Sequence, residues 1–159
     1  MEAIAERVKT DDAERVPLAL EPRCVAVRSD QVPYLWPRVG KWVRWALDDA
    51  VNENLNIQDV YRRCLSGEFL MVTMQIGDEL AGVAVLDYSI DPRGEGYVLV
   101  ACCGGERMPL WIGEFIATVR RIANERGARR VLMVGRRGWQ PILEQHGARL
   151  KCICMGLEV

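Results

Sequence analysis

No apolar run in this sequence approaches the ~18 residues needed to span a bilayer, and no membrane partner is expected. Residues 1–23 alternate acids and bases without an apolar h-region, so no secretory signal is expected there. None of the six cysteines, at 24, 64, 102, 103, 152 and 154, belongs to a Cys-x-x-Cys pair, and most lie inside apolar runs. That usage predicts reduced, buried thiols in a cytosolic protein and argues against a disulfide framework. Adjacent strand residues point to opposite faces, so Cys102 and Cys103 are poorly placed to share one zinc ion with Cys152 and Cys154, and no metal is expected. The only histidine is His146. It precedes a helix-ending glycine, Gly147, where an imidazole caps carbonyls and complements the helix dipole. The sequence has no internal repeat and no low-complexity tract. It also has no helix-turn-helix, zinc-finger or aromatic RNA-binding signature, which ranks nucleic-acid binding last among the function classes.

What is there suits one globular domain. A chain of 159 residues can bury roughly 70% of the surface it exposes when unfolded. Half of it is apolar and 27% charged, an ordinary globular balance. The formal charge of −1 hides an asymmetry. From Phe115 to Lys151 there are nine Arg or Lys against two Glu, so that stretch carries +7 and the remainder −8. A basic C-terminal half suits a polyphosphate, a nucleic acid or an acidic protein surface.

Residues 1–23 read as a polar arm, expected to be mobile alone and docked on a neighbouring subunit in an assembly. Residues 24–159 read as the domain. Cys24 to Arg28 predicts a first strand. A first helix is expected over Pro33 to Val51, with Val39, Val43, Ala46, Leu47 and Ala50 at the 3.6 period. It also carries Trp36, Trp42 and Trp45. Three indoles cannot share one narrow core stripe, so at least two are expected in the core and one at a partner surface. A second helix is predicted over Asn56 to Ser66, ended by Gly67. Strands are expected at 69–76 and 80–88 around a hairpin turn at Gly77-Asp78-Glu79. Asp91-Pro92-Arg93-Gly94 has type I turn chemistry. Gly96 to Cys103 reads as a central strand. A third helix follows with Pro109 in its first turn, Leu110, Ile112, Ile116, Val119 and Ile122 on its buried side, and Gly127 at its end. A strand over 130–134, a loop over 135–138, a short helix over 139–146 and a last strand over 149–157 complete the chain.

The order β-α-α-β-β-β-α-β-α-β resembles the GNAT acetyltransferases over about residues 24–159. The fold class implied is α/β with a mixed central sheet whose fourth and fifth strands splay apart. Gly135 to Gly147 resembles the family's ending of short helix, glycine and strand. Cys103-Gly104-Gly105, Trp111 and Gly135-Arg136-Arg137-Gly138-Trp139 together are similar to small GNAT-like proteins encoded by tailed bacteriophages. That likeness implies a structural or accessory virion protein in the host cytoplasm or the particle. Its protein partners would meet the N-terminal arm and the Trp-rich first helix.

The resemblance further implies acetyl-CoA in the cleft, with its phosphates at a helix N-terminus, a ready anion site. The residues it assigns to the cofactor are Cys103, Gly104, Gly105, Arg107, Arg136 and Arg137. The family loop reads Gln/Arg-x-x-Gly-x-Gly/Ala, whereas this chain has Gly104-Gly105-Glu106-Arg107-Met108-Pro109. Glu106 brings a negative charge to the phosphate position, and Pro109 removes an N–H donor. Acyl transfer to an amine needs a base for the amine and an acid for the thiolate. The family's tyrosine acid lies four residues before the glycine, where this chain has Leu143. The nearest titratable groups to the fourth strand are Glu95, Asp87 and Tyr97. Three readings follow: a catalytically degenerate virion component, an active acetyl-CoA-dependent N-acetyltransferase, and nucleic-acid binding through the basic half.

Overall fold

The computed structural model describes residues 21–48 and 55–151. Five strands lie side by side in chain order: β1 (Pro22–Val27), β2 (Phe69–Ile76), β3 (Glu79–Ile90), β4 (Gly96–Gly105) and β5 (Arg130–Met133). The first three pairings are antiparallel and β4–β5 is parallel. Antiparallel neighbours need only tight turns. Gly77 and Asp78 join β2 to β3, with Gly77 at φ +60°. Between β3 and β4, the Gly94 N–H donates to the Asp91 carbonyl (2.9 Å), as the turn chemistry predicts. The parallel step needs a crossover, supplied by α3 (Met108–Glu125).

Helices cover both faces. On one side α1 (Val32–Asp48) and α2 (Ile57–Leu65) enclose a core of Val39, Trp42, Val43, Val60, Met71, Val83 and Val85. On the other, α3 and the short α4 (Gln140–Gln145) enclose Val72, Met74, Ala84, Val98, Val100, Trp111 and Phe115. Alternation along β2 and β3 sends successive side chains to the two cores. The predicted second helix is capped as its sequence dictates: the Asn56 side chain accepts from the Asp59 N–H (2.9 Å).

Several expectations are corrected. Leu110 is 55% exposed, not buried. Ile112 sets the buried stripe, and a residue two steps away lies about 200° around the helix, so the stripe keeps Ile116, Val119 and Ile122 and takes Trp111 and Phe115 in place of Leu110. β4 runs on through Gly104 and Gly105, which the sequence placed in a loop. Trp139 belongs to a 3₁₀ turn (Arg137–Trp139) that leads into α4. Arg23 already lies in β1. The predicted last strand begins at 149, but residues 149–151 form no strand and are exposed. Its remaining residues, the arm over residues 1–20 and the end of the predicted first helix lie outside the described residues. The tryptophans of α1 divide as expected in exposure: Trp42 is buried, Trp36 is half-buried against Tyr61, and Trp45 is exposed.

Candidate functional site

Along β4 the register against β3 skips one residue. Val85 faces Cys102 and Leu86 faces Val100, leaving Ala101 as a bulge. β5 pairs with β4 only from Tyr97↔Arg130 to Val100↔Met133. The parallel ladder therefore stops where the bulge begins. Beyond it, residues 102–105 pair with β3 on one side and, among the described residues, with no strand on the other. A wedge opens between the C-terminal ends of β4 and β5, floored by a strand edge that no other strand among the described residues pairs with.

The start of α3 closes the mouth of this wedge. Arg107 turns the chain in the left-handed region (φ 54°, ψ 37°). The Glu106 N–H donates to the Ala81 carbonyl (2.7 Å), and the Leu110 N–H to the Arg107 carbonyl (3.0 Å). The Trp111 indole N–H donates to the Glu106 carbonyl (2.7 Å). Pro109 has no N–H. Among the described residues, the backbone N–H groups of Arg107 and Met108 are left without acceptors, at the positive end of an 18-residue helix. An anion there would meet two donors, fewer than the glycine-rich loop implied by the resemblance would offer.

Two ion pairs border it. Arg107 Nη2 lies 3.0 Å from Glu79, and Lys41 Nζ lies 3.9 Å from Glu106. All four side chains are largely exposed, so each pair contributes on the order of 0–1 kcal/mol. Their effect is on charge placement, since each carboxylate at the mouth has a cation beside it. Sequence reasoning missed Lys41 and Glu79. Both lie far along the chain from the loop they meet, and no local pattern marks them.

The glycines of the expected cradle serve packing. A Cβ on Gly104 would lie 2.6 Å from the Trp42 carbonyl oxygen of α1, and one on Gly105 would collide with the Ala81 carbonyl of β3. Cys103 is half-buried beside them, its thiol pushed up by burial with Cys102 and Cys24 nearby. Burial likewise pushes the Cys102 and Cys64 thiols up to about 12. These thiols stay protonated near neutrality and are poor nucleophiles. Arg136 and Arg137 follow the C-terminal end of β5, and both are exposed. Because β4 and β5 run parallel, their loops emerge at the same end of the sheet. The structure thus brings Arg107, Arg136 and Arg137 to one side of the molecule.

It does not bring the acid–base candidates there. Tyr97 pairs with Arg130 at the closed end of the β4–β5 ladder, and the Arg130 guanidinium sits 5.5 Å from its ring. Glu95 lies in the turn before β4, its N–H held by the Asp91 carboxylate (3.0 Å). Asp87 faces Phe69 and Leu99 and accepts from Ser89 Oγ (3.3 Å). From Tyr97 to Gly105 is eight strand steps, about 26 Å at ~3.3 Å each. Leu143 packs against the α3 core, where it offers no proton. His146 ends α4, its carbonyl accepting from Arg120 (2.7 Å) and its ring against Gly113. Among the described residues no group of three His, Cys, Asp or Glu could hold a metal ion, and no helix is long and apolar enough to cross a membrane.

No family model and no curated protein matches this sequence. Solved structures are similar in fold. An aminoglycoside acetyltransferase from an uncultured soil metagenomic sample superposes with a TM-score of 0.62 at 7% identity, over 87% of this chain and 96% of its own. A predicted acetyltransferase from Clostridium acetobutylicum, solved with acetyl-CoA, gives 0.62 at 11% identity, over 86% and 96%. A GCN5-related N-acetyltransferase from Ralstonia eutropha gives 0.58 at 12%, over 86% and 98%. Identity this low carries the architecture alone: the mixed sheet, the wedge between β4 and β5 and the helix that opens at its mouth form a GNAT-type fold.

Proposed function

We propose that this chain is an acyl-CoA-binding protein on a GNAT scaffold whose transfer chemistry is reduced, and that it works as an accessory or structural component of a larger assembly. The observation that carries the reading is the separation of the two halves of the apparatus. The unpaired backbone N–H groups of Arg107 and Met108 stand at the wedge mouth, while Leu143 occupies the place the resemblance gives to the acid, Glu95 and Tyr97 lie at the closed end of the β4–β5 ladder, and Asp87 faces Leu99 within it. The residues at the mouth fit acetyl-CoA in a reduced form. The N–H groups of Arg107 and Met108 would take phosphate oxygens, Arg136 and Arg137 would add charge-assisted contacts, and the unpaired β4 edge would accept an amide-bearing arm as a further strand. When bound, the thioester would supply an activated acyl group. The chain's own residues would hold and desolvate it without moving a proton.

The likeness to phage-encoded proteins extends the reading to a virion component. The second reading, a working N-acetyltransferase, is favoured by the wedge itself, since positioning alone contributes much of such a rate. Basic residues of the C-terminal half are partly engaged internally: Arg120 with the His146 carbonyl, Arg121 with Glu125 and Arg130 with Asp91. That weakens the nucleic-acid reading for that half.

Acetyl-CoA titrated to a hundred times its Kd should stabilise the fold by about 2.7 kcal/mol, read as a rise in Tm. The double variant Arg136→Ala/Arg137→Ala should lose most of that rise. Free CoA release over a panel of amines should not exceed the blank. An unmoved Tm at millimolar acetyl-CoA would sink the binding claim, and turnover on any amine would replace reduced chemistry by the active reading.

A further inference from the structure

The outer face of α1 carries a feature that acyl-CoA binding does not use. Tyr34, Arg38, Lys41 and Trp45 recur at i, i+4, i+7 and i+11, which is one stripe of a helix. Tyr34 is 82% exposed and Trp45 52%, unusually high for such rings. Arg44, also exposed, lies beside Trp45. From Gln31 to Leu47 the sequence contains no acid, and Asp48 closes the helix. Among the described residues Arg38 and Arg44 have no carboxylate partner, and Lys41, whose ammonium lies 4.9 Å from the Trp42 ring centroid, has only the long carboxylate contact to Glu106.

Behind the stripe lies a recess of about 400 Å³ lined by Trp36, Gly40, Lys41, Arg44, Trp45 and Ile57. That volume is in the range of small-ligand clefts, ~300–1,000 Å³. Gly40 forms part of its wall. The Trp36 indole lies over the bare backbone, 3.4 Å from where a Cβ would stand, and Tyr61 backs it at 4.7 Å between ring centroids. A glycine inside a helix costs about 1 kcal/mol relative to alanine.

We propose that this face of α1 binds single-stranded nucleic acid. Rings interleaved with cations are the combination such ligands require: bases stack on the aromatic faces while phosphates meet the Arg and Lys heads. Tyr34 and Trp45 are eleven residues apart, about 16 Å along the helix, enough for a short run of unstacked nucleotides. An acidic polypeptide would be drawn by the same charge but would leave the exposed indole and phenol faces without partners. The overall charge of −1 makes the attraction local to this face.

The test uses the full chain and a fluorescein-labelled oligo-dT of about twelve nucleotides, followed by anisotropy. Saturable binding is expected at 50 mM salt. Release of counterions from about three phosphates predicts a roughly 20-fold weakening at 200 mM salt. Trp45→Ala should weaken binding about tenfold or more, and Gly40→Leu, which fills the recess with a better helix former, should do likewise. Arg126→Ala, in the basic C-terminal half, should bind as the parent does. Far-UV circular dichroism checks that each variant folds. The proposal is overturned by absence of saturable binding, by indifference to Trp45→Ala and Gly40→Leu, or by equal affinity for duplex DNA or polyglutamate, either of which would mean charge without stacking.

Discussion

A methyl group is all that separates glycine from alanine, and at two neighbouring positions this fold has no room for it. Gly104 lies under the Trp42 backbone of α1 and Gly105 under the Ala81 carbonyl of β3. Backbone cannot swing aside as a flexible side chain can, so Gly104→Ala and Gly105→Ala should each destabilise by about 1–3 kcal/mol. Gly138→Ala, with nothing within 4 Å of its Cβ, should stay within about 0.5 kcal/mol of the parent. Urea denaturation midpoints check all three; equal midpoints would show that α1 can lift off β4. In the sequence, the pair Gly104-Gly105 reads equally well as a phosphate cradle and as a packing point. The two differ only in what approaches the backbone, and α1 lies more than fifty residues upstream. Leu110 and Trp111 make the same point. Both are apolar and adjacent, and only the phase set by Ile112 and Phe115 decides which one faces the core.

At the scale of elements, the β3–β4 turn does more than reverse the chain. The Asp91 carboxylate accepts from the backbone N–H groups of Glu95 (3.0 Å) and Arg93 (2.9 Å), and Arg130 of β5 reaches it at 2.7 Å. These contacts, the Glu95 N–H first, hold its pKa below the ordinary 3.8. A depressed folded-state value means that Asp91 contributes stability above the ordinary carboxylate pKa, and that this contribution is lost as the pH falls through the folded value. Asp91→Asn should therefore lower the Tm at pH 7 and flatten the acid limb of the stability curve below about pH 4. A variant with the parent's acid limb would show that the clip carries no charge effect. The turn itself was legible from Asp91, Pro92 and Gly94. Its reach to Arg130, thirty-nine residues on, was not, because only the crossover through α3 brings β5 alongside.

For the whole molecule, the architecture was legible because periodicity, caps and turn residues agree along most of the chain. Asn56, Gly67, Gly77, Gly94 and Gly127 mark boundaries that the structure keeps. The candidate site was legible only in part. Arg107, Arg136 and Arg137 lie toward one end of the sheet, yet the charges bordering the mouth, Lys41 and Glu79, come from elements whose approach is a property of the fold. The short ladder between β4 and β5 has one more consequence, which is mechanical. Among the described residues four residue pairs join β5 to the sheet; the Asp91–Arg130 clip lies at their far end, and the wedge is an existing notch at the near end. A pull on the chain after α4 would start its tear at the notch and run toward the clip, breaking the ladder in sequence rather than all at once. In a single-molecule experiment β5 should peel away at low force as a first step, before the antiparallel strands β1 to β4 give way, and Asp91→Asn should lower the last part of that step.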